Sequence, residues 1–93
     1  MALAATASRR ITIDRATNFD ELMAGQSDKL SAALGYLATW GSSERFPEVI
    51  IRCIGDHGCW RGPEITAYYR NAEGQCGFTI GAVWDGSEFS FHS

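Results

Sequence analysis

The segment Glu64–His92, EITAYYRNAEGQCGFTIGAVWDGSEFSFH, alternates apolar and polar residues on either side of two turn-like clusters, Asn71–Gly74 and Asp85-Gly86. A period of two is the pattern of half-buried strands. It divides the segment into Glu64–Arg70, Gln75–Trp84 and Ser87–His92, a meander. Asp85-Gly86 is the strongest hairpin signal in the chain, since a type I′ turn needs positive φ at both central positions. A two-residue turn there pairs Ala82 with Phe89 and Ile80 with Phe91. A four-residue loop at Asn71–Gly74 pairs Tyr69 with Cys76, Ala67 with Phe78 and Ile65 with Ile80. Both hairpins then gather one apolar set on one face: Ile65, Ala67, Tyr69, Cys76, Phe78, Ile80, Ala82, Phe89 and Phe91. A three-residue loop would set Ala67 against Thr79 and scatter that set, because a slip of one residue reverses every side chain.

The opposite face carries Thr66, Tyr68, Arg70, Gly77, Thr79, Gly81, Val83, Glu88, Ser90 and His92. Glycine inside a strand marks a bulge or a close approach to the backbone, or bends the sheet around its helix. Tyr68 and Arg70 beside these glycines are residue types enriched at interface hot spots.

N-terminal to the meander, Glu48–Ile54 alternates as a strand, and Gly55-Asp56-His57-Gly58 has the composition of a tight turn. Cys59–Arg61 returns as the second arm, setting Cys53 opposite Trp60 and Cys59 opposite Ile54, until Gly62-Pro63 breaks the chain. Arg10–Asp14 is a short alternating strand. Between these, Phe19, Leu22, Met23, Leu30, Ala33, Leu34 and Leu37 recur at three- and four-residue spacings, one stripe of an amphipathic helix reaching to about Trp40. Asn18 with Glu21 forms a capping-box pattern. Gly25-Gln26-Ser27 interrupts the stripe, and Gly41 follows its end, as glycine does past helix C-termini. The expected fold is α+β. An N-terminal strand and one long or kinked helix pack on a four- to five-stranded antiparallel meander, against Ile65, Phe78, Ile80, Phe89 and Phe91. Residues 9–93 form one domain after a flexible start at 1–8.

The whole chain is 93 residues, 45% hydrophobic and 20% charged, with a net charge of -3. That composition excludes a disordered or disulfide-scaffold chain, and the acidic balance argues against a general nucleic-acid binder. No apolar run approaches the roughly 18 residues of a membrane span. Two arginines follow rather than precede the mildly apolar Met1–Ser8, the reverse of a secretory signal. Three cysteines, Cys53, Cys59 and Cys76, make an odd count that suits a reducing, cytoplasmic setting. Lys29 is the only lysine among eight basic residues. The arginine excess fits either a GC-rich genome or guanidinium contact chemistry.

Cys53, His57, Cys59 and Cys76 are the donor types of a structural zinc site. Their Cys-x3-His-x-Cys spacing lacks the paired knuckle of common zinc motifs, and the hairpin register sends the Cys53 and Cys59 sulfurs to opposite faces. Cys59 as nucleophile with His57 as base and Asp56 as orienter is the corresponding catalytic arrangement, but a turn tip is poorly shielded from water. No nucleophile elbow, phosphate-binding loop or HExxH motif is present. Asp20 and Glu21 are first-turn helix charges. The chain is therefore expected to be no enzyme and to need no metal or cofactor. A Cys/His-dependent enzyme or zinc-stabilised domain on those four residues is the alternative.

A compact anchor for another protein is expected at Asp56, His57, Trp60 and Arg61, with Tyr68 and Arg70 on the sheet. Phe89–His92 is an open edge strand unless the N-terminal strand covers it, which invites a partner strand or a second copy. The profile is small, acidic, and rich in arginine and aromatics. It is similar in style to compact inhibitors encoded by bacteriophages and other mobile elements, anti-CRISPR proteins among them, and carries no residues over from them. The expected function is a non-catalytic protein-binding module that blocks a partner's surface. The acids are scattered rather than laid out in a stripe, so mimicry of nucleic acid is not expected.

Overall fold

The computed structural model describes residues 9–55 and 63–93. The flexible start expected at 1–8 lies outside them, as do Asp56, His57, Cys59, Trp60 and Arg61. The element order is β1 (Arg10–Arg15), α1 (Thr17–Leu22), α2 (Ser27–Thr39), β2 (Glu48–Ile54), β3 (Glu64–Arg70), β4 (Cys76–Trp84) and β5 (Phe89–His92). The strands form one sheet in the order β1-β2-β3-β4-β5. β2 to β5 are an antiparallel meander. β1 instead lies parallel to β2. Two helices separate them, and such a crossover returns the chain in its starting direction. The result is a small α+β fold with a five-stranded, mostly antiparallel sheet, and β1 covers the β2 side rather than the β5 edge.

The one long or kinked helix expected from the stripe is broken into two helices at the interruption read at Gly25-Gln26-Ser27. Gly25 takes φ 84 between them, a left-handed conformation that breaks a helix and that other residues rarely adopt. α1 starts after Ala16 without a side-chain cap, so Asn18 lies inside the helix rather than ahead of it. The stripe itself holds: Phe19, Met23, Leu30, Ala33 and Leu37 are all buried, whereas Leu22, at the end of α1, is exposed. They pack on Val49, Ile51, Cys53, Ile65, Ala67, Tyr69, Ile80 and Ala82, the alternate residues of β2, β3 and β4. Arg9 closes the C-terminal end of α2. Its Nη1 donates to the carbonyls of Ala38 and Trp40 at 2.8 and 2.9 Å, and its Nε to that of Phe46 at 3.0 Å. A cation among the last carbonyls of a helix also meets the negative end of its dipole.

Both meander registers differ from expectation by two residues. Asn71 N–H donates to the Gln75 carbonyl at 2.9 Å, so the β3–β4 loop holds three residues rather than four. Arg70 then pairs with Cys76, but Tyr69 pairs with Phe78, Ala67 with Ile80 and Ile65 with Ala82. Gly77 is the extra residue of a β-bulge, and it restores the parity that the odd loop would have lost. Cys76 lies before the bulge and shares the face of Arg70; it is exposed and not part of the core. At the other hairpin Trp84 pairs with Phe89 and Ala82 with Phe91. The turn stays at two residues but is displaced by one position to Gly86-Ser87, closed by Asp85 N–H to the Glu88 carbonyl at 3.1 Å. Asp85 Oδ1 accepts from the backbone N–H groups of Ser87 and Glu88. Those bonds, from Glu88 first, hold its carboxyl below the usual carboxylate range. Phe78 and Phe91 stay 37% and 43% exposed at the rim of the helix-covered face. At the end of β2, Cys53 pairs with Ile65 and Ile54 with Glu64; the return arm Cys59–Arg61 expected across Gly55–Gly58 lies outside the described residues.

Candidate functional site

With both helices on one side, the second face of the sheet carries no described element. Its side chains form cross-strand rows set by the registers. Thr12, Ile50, Tyr68 and Thr79 make the central row, and Asp14, Arg52, Thr66, Gly81 and His92 the next. Arg10, Glu48, Arg70 and Cys76 make a third. Apart from Gly81, every residue in these rows is half-buried or exposed. Tyr68 sits at the middle, its ring framed by Ile50 and Thr79, an amphipathic aromatic group of the kind that anchors interfaces. Gly81 is where something approaches the backbone closely: a Cβ there would stand 2.6 Å from His92 Cε1.

The electrostatics of this face centre on Glu48, which faces Arg10 at 3.7 Å and Arg70 at 3.8 Å. Ion pairs this exposed contribute little stability, so they orient the side chains more than they hold the sheet. The Arg70 guanidinium is further occupied by its own hairpin, with Nε and Nη2 donating to the Gly74 carbonyl at 2.9 and 2.6 Å. Its first role is to clamp the β3–β4 loop. Asp14, Arg10, Glu48 and Arg52 were not singled out by sequence reasoning. Their signal is two strands with charges four residues apart, and only the parallel pairing of β1 with β2 brings them side by side.

The two described cysteines do not converge. Cys53 is buried on the helix-covered face, and burial pushes its thiol up to about 11. A thiol that is protonated at neutral pH is a poor nucleophile and a poor metal ligand. Cys76 lies on the other face, and their β3 partners, Ile65 and Arg70, are five residues apart. That is about 16 Å along a strand, whereas sulfurs sharing a zinc ion lie within about 4 Å of each other. The four-donor set of Cys53, His57, Cys59 and Cys76 therefore cannot assemble. Of the expected anchor residues, Tyr68 and Arg70 share one sheet face, and the other four lie outside the described residues.

Aromatic rings line the opposite rim, at the β5 side of the helix-covered face. Trp40 stacks on Phe78 at 4.8 Å, and Tyr36 meets Phe91 at 4.9 Å. No described helix is long and apolar enough to cross a membrane. Comparison with protein-family models, curated proteins and solved structures gave no match to this chain.

Proposed function

We propose that this chain is a non-catalytic, cytoplasmic protein-binding module, an inhibitor of the kind carried by phages and mobile elements, that acts by occupying a partner's surface. One observation carries this reading: the sheet face around Tyr68, which no described element covers. Half-buried Ile50, Thr66 and Tyr68, with exposed Thr79 and Arg52 beside them, offer an ordered platform with both charged and apolar contacts. Pre-ordered side chains on strands lose little entropy on binding. Arg70 frames the platform while clamping its own loop.

Affinity capture from lysate of the source cells tests the reading. Tyr68→Ala and Thr79→Lys are made on the platform, and circular dichroism monitors the fold. A protein retained by the unmodified chain and reduced at least about tenfold by both variants is the expected result, as for loss of a hot spot. Equal retention by the variants, or no retained protein at all, overturns it.

A further inference from the structure

We propose that β1 is the contact strand of a symmetric homodimer, in which two copies pair antiparallel through residues 10–14 and the two sheets join into one of ten strands. The inference stands on the β1 edge and does not rest on the partner proposed above.

β1 ends the sheet, and every one of its residues is exposed. Arg10 N–H bonds to the Pro47 carbonyl at 3.0 Å and Ala16 N–H to that of Cys53 at 3.1 Å. Backbone groups alternate sides along a strand, so Arg10, Thr12 and Asp14 face β2, while Ile11 and Ile13 point theirs outward. Natural sheets protect such an edge with bulges, proline or inward-pointing charge. β1 has no bulge and no proline. On the helix-covered face it presents Ile11 and Ile13, left 42% and 43% exposed.

Antiparallel pairing of two β1 strands must match outward groups with outward groups, which restricts the register to steps of two. One of these registers is self-complementary. With Thr12 opposite Thr12 of the second copy, Ile11 meets Ile13 and Arg10 meets Asp14, each twice by symmetry. Ile11 and Ile13 then exchange the backbone hydrogen bonds, and the Thr12 pair sits on the two-fold axis. Shifting by one step either way sets Arg10 opposite Thr12 or Ala16 and loses both charge pairs. Apolar, threonine and opposite-charge cross-strand pairs are all favourable.

The charge pattern extends inward from the axis. Asp14 pairs across β1–β2 with Arg52, and Arg10 with Glu48, which also faces Arg70. In the dimer one row therefore reads Arg70, Glu48, Arg10, then Asp14 and Arg52 of the second copy, with signs alternating throughout. Arg15 and Arg9, which this register brings to the same level, are both committed within the chain. Arg15 holds Asp20 at 2.9 Å, and Arg9 holds the carbonyls at the end of α2. The β5 edge is the weaker rival: it is shorter, carries no formal charge, and has no self-complementary pair of this kind.

Sedimentation equilibrium and native mass spectrometry on the full chain test the proposal, alongside a disulfide trap. The expected species has twice the 10.2 kDa chain mass, and it weakens as salt is raised. Asp14→Arg and Arg10→Asp each set like charges opposite one another and weaken dimerisation at least about tenfold. The double reversal dimerises more strongly than either single variant. In a chain with Cys59→Ser and Cys76→Ser, Thr12→Cys links two copies on mild oxidation, because residues opposite each other at a non-hydrogen-bonded position lie within disulfide reach. Ser90→Cys on β5 does not. A monomer at every concentration, a dimer indifferent to both charge reversals, or preferential linkage through Ser90→Cys overturns the proposal. So does a monomer whose Ile11 and Ile13 amides are protected from hydrogen exchange until residues 2–8 are removed, since the chain's own N-terminal segment would then occupy the edge.

Discussion

The Tyr69 hydroxyl donates a 2.6 Å hydrogen bond to the backbone carbonyl of Leu37, joining the middle of the sheet to the last turn of α2. Carbonyls in the last turn of a helix have no intrahelical partner, and this one is buried beneath the Trp40 and Phe46 rings that pack on Tyr69. Tyr69→Phe keeps the ring and strands the carbonyl. It is expected to cost about 1–3 kcal/mol, read as a lower urea midpoint with an unchanged slope.

The same burial makes stability depend on alkaline pH. Burial raises the Tyr69 hydroxyl from 10.0 to about 12 and the Cys53 thiol from 9.0 to about 11. Between the unfolded and folded values the native state holds the proton and the unfolded state has released it. Stability is thus fully present below about pH 9 and falls as pH rises toward 12. Denaturation curves from pH 8 upward should show the decline beginning near pH 9. Cys53→Ala should remove its first part and Tyr69→Phe its later part; profiles identical to the unmodified chain would place both groups in water.

Arg9→Lys tests the clamp on α2. A guanidinium reaches the carbonyls of Ala38, Trp40 and Phe46 together through Nη1 and Nε, whereas an ammonium offers one point of contact. The variant should lose about 1–3 kcal/mol by thermal or urea unfolding. Retained stability would mean that the loop after α2 holds itself.

Gly77 separates a steric role from a topological one. Alanine there brings a Cβ to 3.1 Å from Phe46 Cε1, which shifts a buried ring slightly and should cost about 1–3 kcal/mol. Deleting Gly77 removes the bulge and turns Phe78, Ile80 and Ala82 away from the helices. That chain should show no cooperative unfolding transition by near-ultraviolet circular dichroism. Native-like spectra after the deletion would overturn the register described for β4.

Ile80 is buried at 5% exposure and Phe78 is 37% exposed, although both occupy the same face of β4. Ile80→Ala is expected to cost about 2–5 kcal/mol, and Phe78→Ala clearly less despite its larger side chain. The reverse order in chemical denaturation would show that the rim, rather than the middle, carries the packing.

Much of this architecture could be read before any coordinates. Period-two patterning located the strands of the meander and most of the core face, and three- and four-residue spacing located the buried stripe of α1 and α2. Local patterning failed where a distant partner decides. Nothing in Arg10–Asp14 says that it pairs parallel with Glu48–Arg52, so the charge rows on the open face were invisible. Matching apolar residues across strands recovered the correct faces with the wrong partners, since a displacement of two residues preserves parity. It also favoured an even loop, because a bulge at Gly77 can cancel an odd one. Cys76 was assigned to the core for that reason. Tyr68 was placed on the open face correctly, but the Arg70 clamp on Gly74 depends on the loop conformation that the bulge accompanies.

The parallel pairing of β1 also orders events in time. β2 to β5 meet through successive antiparallel pairings between neighbouring strands, whereas β1 must wait for a closure spanning roughly forty residues and both helices, the slower kind of contact to make. The strand that comes first in this sheet's chain order is thus expected to be the last of the five to be secured. Until it docks, the outer side of β2, with Val49 and Ile51 at its core face, is open to any passing strand.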